Sequence, residues 1–168
     1  MVVLMNTLLG LFEEFTLATA VLTRLPVGAA APADGAIAAA GWAFPLVGIG
    51  VGALCAAAFF LGELLGLPDG PAALAAVAAG LALTGALHED GLADTADGFG
   101  GGHGRDEKLA IMRDSRHGTF GILALIISVG SRAAALAAIG DPLHAALGLI
   151  AAHALSRGTL PPLMRLLA

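Results

Sequence analysis

The chain lacks much of what a soluble enzyme of its size carries. It has no tyrosine, one tryptophan and one cysteine, and only 12% of its 168 residues are charged against 58% apolar. Soluble domains average about 25% charged and about 45–50% apolar. With a positive mean hydropathy, this shortage of charge excludes an ordinary soluble domain. It points instead to an all-α, polytopic helical integral membrane protein of one domain, residues 1–168. A single cysteine excludes an internal disulfide and any multi-cysteine metal site. Cys55, set in an apolar run, reads as a small buried hydrophobe. No basic tract interleaved with aromatics occurs, which argues against a nucleic-acid partner. No Lys or Arg precedes the apolar first 11 residues, and Glu13-Glu14 follow them, so no cleaved signal is expected.

What is present is a series of apolar runs, from which about four transmembrane helices are expected: residues 35–62, 71–87, 119–140 and 143–156. About 20 apolar residues suffice to cross the hydrocarbon. The second run is short unless its helix continues into the polar residues that follow. Residues 1–23 predict a half-buried amphipathic or re-entrant helix, with a full span as the alternative, closed near Leu25 by Pro26. Residues 27–34 form a linker. Glycines 41, 48, 50 and 52 let the first span pack closely, and Pro45 predicts a kink. Trp42 has two readings, an interfacial anchor or a packed core side chain. Asp141-Pro142 has the chemistry of an N-cap and a first-turn proline. Arg24, Arg157, Arg165 and the bases between the second and third runs fall on one side of this bundle. Glu63, Asp69 and Asp141 fall on the other, so the basic side is expected to face the cytoplasm.

The remaining charge is concentrated. Residues 88–117 hold 11 of the 21 charged side chains. Asp90, Asp94 and Asp97 are spaced i, i+4, i+7, within roughly 60° on a helix. Three carboxylates on one stripe repel unless a positive group sits among them. A hard divalent cation such as Mg²⁺ answers that need, taking carboxylate oxygens and completing its shell with water or substrate phosphate. The competing reading is the solvated end of a span. Glu89 points about 100° away from Asp90, either a second-site ligand or a solvated residue. Residues 98–104, Gly-Phe-Gly-Gly-Gly-His-Gly, read as a flexible loop, a phosphate cradle or a plain hinge. Arg113, Asp114, Ser115 and Arg116 follow at the mouth of the third span. Arginine forks there suit diphosphate oxygens, and Arg113 and Arg116 would share one helix face; anchoring of lipid headgroups is the alternative. Arg132, inside the third span, requires a partner or a wet cavity, and the acidic stripe or a phosphate bound to it is the expected partner. Arg157 reads as a similar group or as an inside-facing anchor.

Two of these stretches resemble one family. His88-Glu89-Asp90-Gly91-Leu92-Ala93-Asp94-Thr95-Ala96-Asp97-Gly98 and Lys108-Leu109-Ala110-Ile111-Met112-Arg113-Asp114-Ser115-Arg116-His117-Gly118-Thr119-Phe120-Gly121 are similar to motifs of the adenosylcobinamide-GDP ribazoletransferases, also called cobalamin-5′-phosphate synthases. Leu22-Thr23-Arg24-Leu25-Pro26 and Ser156-Arg157 add to the likeness. The resemblance implies a Mg²⁺-dependent enzyme of the bacterial inner membrane, with its active-site segment, residues 88–121, facing the cytoplasm. It would join adenosylcobinamide-GDP to α-ribazole or its 5′-phosphate and release GMP, with membrane lipid around it and an oligomer open. Asp90, Asp94 and Asp97 would be the catalytic and metal-binding residues, and Arg113, Asp114, Ser115, Arg116 and Arg132 would bind substrate. Members of the family continue for several more helices past the position of Ala168, so the chain reads as a short or truncated member. A CDP-alcohol phosphotransferase is the nearest other enzyme, but Asp94-Thr95 stand where its Ala-Arg pair belongs. A divalent-cation transporter would carry its acids midway along spans.

Overall fold

The computed structural model describes residues 2–29 and 31–167, with side chains from residue 5 onward. Met1, Ala30 and Ala168, the two ends and one linker position of the expected domain, lie outside the described residues. The described residues form helices joined by short turns, without strands. They are α1 (Val2–Leu22), α2 (Ala36–Ala39), a 3₁₀ turn (Ala40–Ala43), α3 (Phe44–Leu64), α4 (Asp69–Thr84), α5 (Leu87–Gly101), α6 (Arg105–Met112), α7 (Thr119–Ala137), α8 (Pro142–Gly158) and α9 (Leu160–Leu167).

Two of these stretches are long and apolar enough to cross a membrane by themselves, residues 36–64 and α7. The bent pair α4 and α5 makes a third if it is one broken span. The fourth expected span coincides with α8, whose 17 residues reach only about 25 Å at 1.5 Å each, against a hydrocarbon core of about 30 Å. The outward faces are apolar: Ile122, Leu123, Ile126 and Ile127 on α7, and Leu46, Ile49, Leu54 and Leu61 on α3, are exposed. Such faces suit lipid rather than water.

Pro45 acts at the start of α3. It sits in the first turn, where its missing N–H costs nothing, and the chain just ahead of it tightens into the 3₁₀ turn. Trp42 takes neither of its two simple roles. It is half exposed, and its indole N–H donates to Glu14, tying the turn to α1. The α1–α3 core holds Ala18, Leu22, Phe44, Val47, Val51 and Cys55. A second core brings Phe59 of α3, Ala72, Ala73 and Ala76 of α4, Leu136 of α7 and Ala145 of α8 together.

Glycine sets the α3–α8 seam. A Cβ at Gly48 would strike the His153 carbonyl, and one at Gly52 would lie 2.6 Å from Ile150 Cα, so the two backbones meet directly. In lipid, where no hydrophobic effect drives helices together, such close van der Waals contact is a main source of adhesion. The α8 N-terminus is as expected: Pro142 opens the helix, and the Asp141 carboxylate accepts the His144 N–H at 2.8 Å.

The helix of the second run stops short of the polar residues. Gly85 and Ala86 both take left-handed conformations, at φ 65° and 56°. Their N–H groups both reach the Leu81 carbonyl, and α5 leaves α4 at 91°. Glycine is needed at 85 twice over. Its φ favours it, and the Arg24 side chain lies where a Cβ would be, while the Arg24 N–H donates to the Leu83 carbonyl at 2.7 Å.

Candidate functional site at the elbow between α4 and α5

The elbow gathers residues that are far apart in sequence. On one side a cavity of about 540 Å³ is lined by Arg24, Glu89, Asp90 and His117, with Val21, Thr84 and Leu125 among its walls. On the other side a cavity of about 480 Å³ lies between α4, α7 and α8, lined by His88, Glu89, Arg132, His153, Ser156 and Arg157 above apolar walls. Glu89 borders both.

The three aspartates do lie along one helix, α5, yet their environments differ. Asp90 is exposed and Asp94 half-buried. Neither carboxylate has a hydrogen bond or ion pair among the described residues. Asp97 is only 8% exposed, and both its oxygens are taken. Oδ2 accepts the Gly118 N–H at 2.7 Å and Oδ1 accepts the Gly121 N–H at 2.8 Å. Asp97 therefore caps the first turn of α7 from a neighbouring helix, satisfying donors that the helix itself leaves orphaned. Gly118 and Gly121 make this possible, because a Cβ at either would collide with the Asp97 carboxylate.

Among the described residues no three His, Cys, Asp or Glu side chains stand close enough to hold one ion. A Mg²⁺ site does not need three, since one or two carboxylates plus substrate phosphate suffice. The unpartnered Asp90 and Asp94, one helical turn apart, fit that requirement. Asp97 differs in that each of its oxygens already accepts one N–H of α7, which leaves each oxygen a further lone pair.

The glycine-rich stretch departs from its expected loop. Helix α5 runs on to Gly101, because its glycines are contact positions. Gly98 meets Met112 of α6, and Gly100 meets the ring of Phe120 on α7. The turn into α6 is then closed by Glu107, which accepts the His103 N–H at 2.8 Å. That bond holds the Glu107 carboxyl below the ordinary range.

Arg113 and Arg116 do not share a helix face. Arg113 caps the end of α6, and residues 114–118 are irregular ahead of the start of α7 at Thr119. Arg116 forks onto Asp114, Nη2 to Oδ2 at 2.7 Å, and this guanidinium holds the Asp114 carboxyl below its usual range. Arg113, Ser115 and Arg116 are exposed. Their loop delivers His117 to the cavity that Asp90 and Arg24 line.

Arg132 finds a carboxylate, but not on the stripe. Its Nη1 is 2.9 Å from Glu89 Oε1, with Glu89 14% and Arg132 42% exposed at the side chain. The pair settles Glu89, whose direction away from Asp90 aims it at α7. Sequence reasoning gave no role to His88 or His153 and left Arg157 open. The only signal for them was polarity inside apolar runs, and nothing in the spacing links residues 88, 132, 153 and 157.

Fold and site together define a helical membrane protein whose polar side chains converge on a bend between two helices. The chain belongs to the cobalamin-5-phosphate synthase family, whose model matches residues 14–168. It is 50% identical over 162 residues to the adenosylcobinamide-GDP ribazoletransferase of Bradyrhizobium diazoefficiens, covering 96% of this chain and 62% of that protein. It is 46% identical over 157 residues to the protein of the same name from Mesorhizobium japonicum, covering 94% and 61%. With that of Shewanella frigidimarina it shares 43% identity over 146 residues, 85% of this chain and 56% of that one. The chain thus spans about six tenths of the length of the curated relatives it matches. No solved structure matches it.

Proposed function

We propose that the chain carries the polar centre of an adenosylcobinamide-GDP ribazoletransferase of the bacterial inner membrane, with the elbow facing the cytoplasm. The reaction transfers the cobinamide phosphate moiety to α-ribazole or its 5′-phosphate and releases GMP. The observation that carries this reading is the convergence of Arg24, Asp90 and His117, from three distant segments, on one cavity. Each of those segments also lies in a stretch that resembles the family's motifs.

The chemistry is phosphoryl transfer. A ribose hydroxyl oxygen bonds to the phosphorus on the corrinoid's arm, the bond from that phosphorus to the oxygen leaving with GMP breaks, and the hydroxyl proton is lost. Such a reaction needs positioning and charge stabilisation more than covalent participation. Asp90 and Asp94 would hold Mg²⁺, which when bound neutralises diphosphate charge. Arg24 would offer a guanidinium, and His117 a ring nitrogen, in the cavity that Asp90 also lines. The exposed Arg113, Ser115 and Arg116 offer donors for the outer phosphate oxygens. Asp97 holds the loop that carries them.

The test is GMP release by the purified protein from adenosylcobinamide-GDP, with and without α-ribazole and Mg²⁺. Release that needs both is expected. A folded protein that releases no GMP under any of these conditions would remove the transferase reading for this chain. Orientation is tested separately, in a Cys55→Ala background with His103→Cys as the only thiol. Rapid labelling by an impermeant reagent in intact cells would turn the elbow to the outside.

A further inference from the structure

The cavity between α4, α7 and α8 contains a charge that the protein does not balance. Arg132 and Glu89 neutralise each other at 2.9 Å. Arg157 is 7% exposed and makes no ion pair among the described residues. Its two hydrogen bonds go to uncharged groups: Nη1 donates to His153 Nδ1 at 2.9 Å and to Ser156 Oγ at 2.8 Å. An imidazole that accepts at Nδ1 carries its proton on Nε2, which faces Cys55 Sγ at 3.6 Å. His153 is thereby fixed as a neutral acceptor, and Cys55, His153 and Arg157 form one chain that holds the guanidinium in place. Two buried nitrogens at this site, Arg157 Nε and His88 Nδ1, have no hydrogen-bond partner.

A buried guanidinium without a counter-ion is costly, and more so at membrane depth. Such a group persists where a ligand supplies the missing charge. The cavity has the size of a small-molecule site, about 480 Å³, within the range of roughly 300–1,000 Å³ typical of ligand pockets. Its walls, among them Ala76, Val77, Leu136 and Leu149, are apolar. The net charge of its lining is +1, from Arg132 and Arg157 against Glu89. We propose that this cavity binds a phosphodiester monoanion attached to an apolar body, with Arg157 as its counter-ion. The charge balance favours one negative charge over the two of a phosphate monoester, and the walls favour an amphipathic ligand over a free ion. The phosphodiester can come from a membrane lipid or from a soluble ester.

Binding of dibutyl phosphate to the detergent-purified protein, measured by calorimetry and thermal shift, tests the proposal. Tributyl phosphate, with similar chains and no charge, is the control. Wild type is expected to bind the diester and not the triester. Arg157→Gln should weaken binding by roughly tenfold or more, the loss of one charge-assisted hydrogen bond. If Arg157→Gln does not fold, Gly148→Phe decides the matter. A Cβ at Gly148, which lines the cavity, would meet only Ile139 Cδ1 at 3.9 Å, so a ring there has room to enter the cavity and leaves Arg157 intact. Gly148→Phe should abolish binding without lowering the melting temperature. Equal binding of diester and triester, or undiminished binding in Gly148→Phe, would overturn the proposal. The source is read by native mass spectrometry of protein extracted from phosphatidylcholine bilayers containing phosphatidylglycerol. Phosphatidylglycerol retained by wild type and lost from Gly148→Phe identifies the lipid. Diester binding without retained lipid identifies a soluble ester. The GMP-release assay is not involved, so either reading can fail alone.

Discussion

Two seams in this molecule are made of glycine, for opposite reasons. Between α3 and α8, Gly48 and Gly52 are small so that one backbone can rest on another. Between α5 and α7, Gly118 and Gly121 are small so that a carboxylate can enter, and Asp97 fills the space that their missing side chains leave. The first seam is dispersion contact between apolar helices, spread along their length. The second is a charge-assisted cap, confined to two hydrogen bonds. The same residue type thus serves adhesion in one place and admission of charge in another, and only the partner tells them apart.

The largest effect should come from the dry seam. Gly48→Leu drives a side chain into the α8 backbone, which cannot yield without separating the helices. It is expected to cost about 3 kcal/mol or more, at the upper end for overpacking. Thermal melting in detergent measures it, and a wild-type midpoint would mean that α3 and α8 are not packed as described.

Next comes the polar seam, where the cost should depend on Asp97. Gly121→Ala is expected to lose about 2 kcal/mol, and Asp97→Ala a similar amount through its two lost hydrogen bonds. Because the alanine methyl and the carboxylate compete for one space, the double variant should fall short of the sum by about 1 kcal/mol. Strict additivity would show that the two do not touch.

A smaller stability effect, with a larger one on activity, should separate Asp90 from Asp97. Asp90→Asn should keep stability within about 0.5 kcal/mol. It should slow GMP release by roughly tenfold or more and raise the Mg²⁺ concentration required. Asp97→Asn should destabilise the protein and leave its Mg²⁺ dependence near wild type. The reverse pattern would place Asp97 in the metal site.

The smallest effect lies at the α8 cap. The His144 backbone N–H, and then its side chain, hold the Asp141 carboxyl below its ordinary pKa. A carboxyl depressed in the folded state stabilises above its unfolded pKa of about 3.9 and loses that contribution as pH falls through the folded value. The melting temperature of wild type should therefore fall more steeply below about pH 4 than that of Asp141→Asn. Parallel curves would remove the cap from the account.

Much of this was legible in the chain. The helices near residues 36–64, 119–137 and 142–158 follow from apolar runs with little charge, and the Asp141-Pro142 start follows from local chemistry. Part of the polar centre was legible too, Asp90 and Arg132 among its lining, because charge is scarce elsewhere, whereas Arg24, His88, His117 and His153 carry no such signal. Its geometry was not. A period of 3.6 puts Asp90, Asp94 and Asp97 on one stripe, but periodicity is blind to what faces the stripe, and α7 faces Asp97 alone. The right angle at Gly85-Ala86 depends on Arg24 lying against Gly85, a contact across 61 positions. Arg132 was correctly marked as needing a partner, yet Glu89 becomes that partner only once α5 turns. Residues 98–101 read as a loop in sequence because glycine, at 98, 100 and 101, favours both open turns and tight contacts, and sequence alone does not say which.

The Asp97 cap also closes a ring. Its bond to the Gly118 N–H spans 21 positions, so α6 and its flanking turns form a loop pinned at its base. The entropy of closing a loop grows slowly with length, about 0.6 kcal/mol for each doubling. Residues inserted at the exposed turn around His103 and Gly104 should cost the molecule little and leave the elbow undisturbed. That turn is where a tag, a label or a fusion partner can be carried, while the bonds from Gly118 and Gly121 to Asp97 hold the base of the loop together.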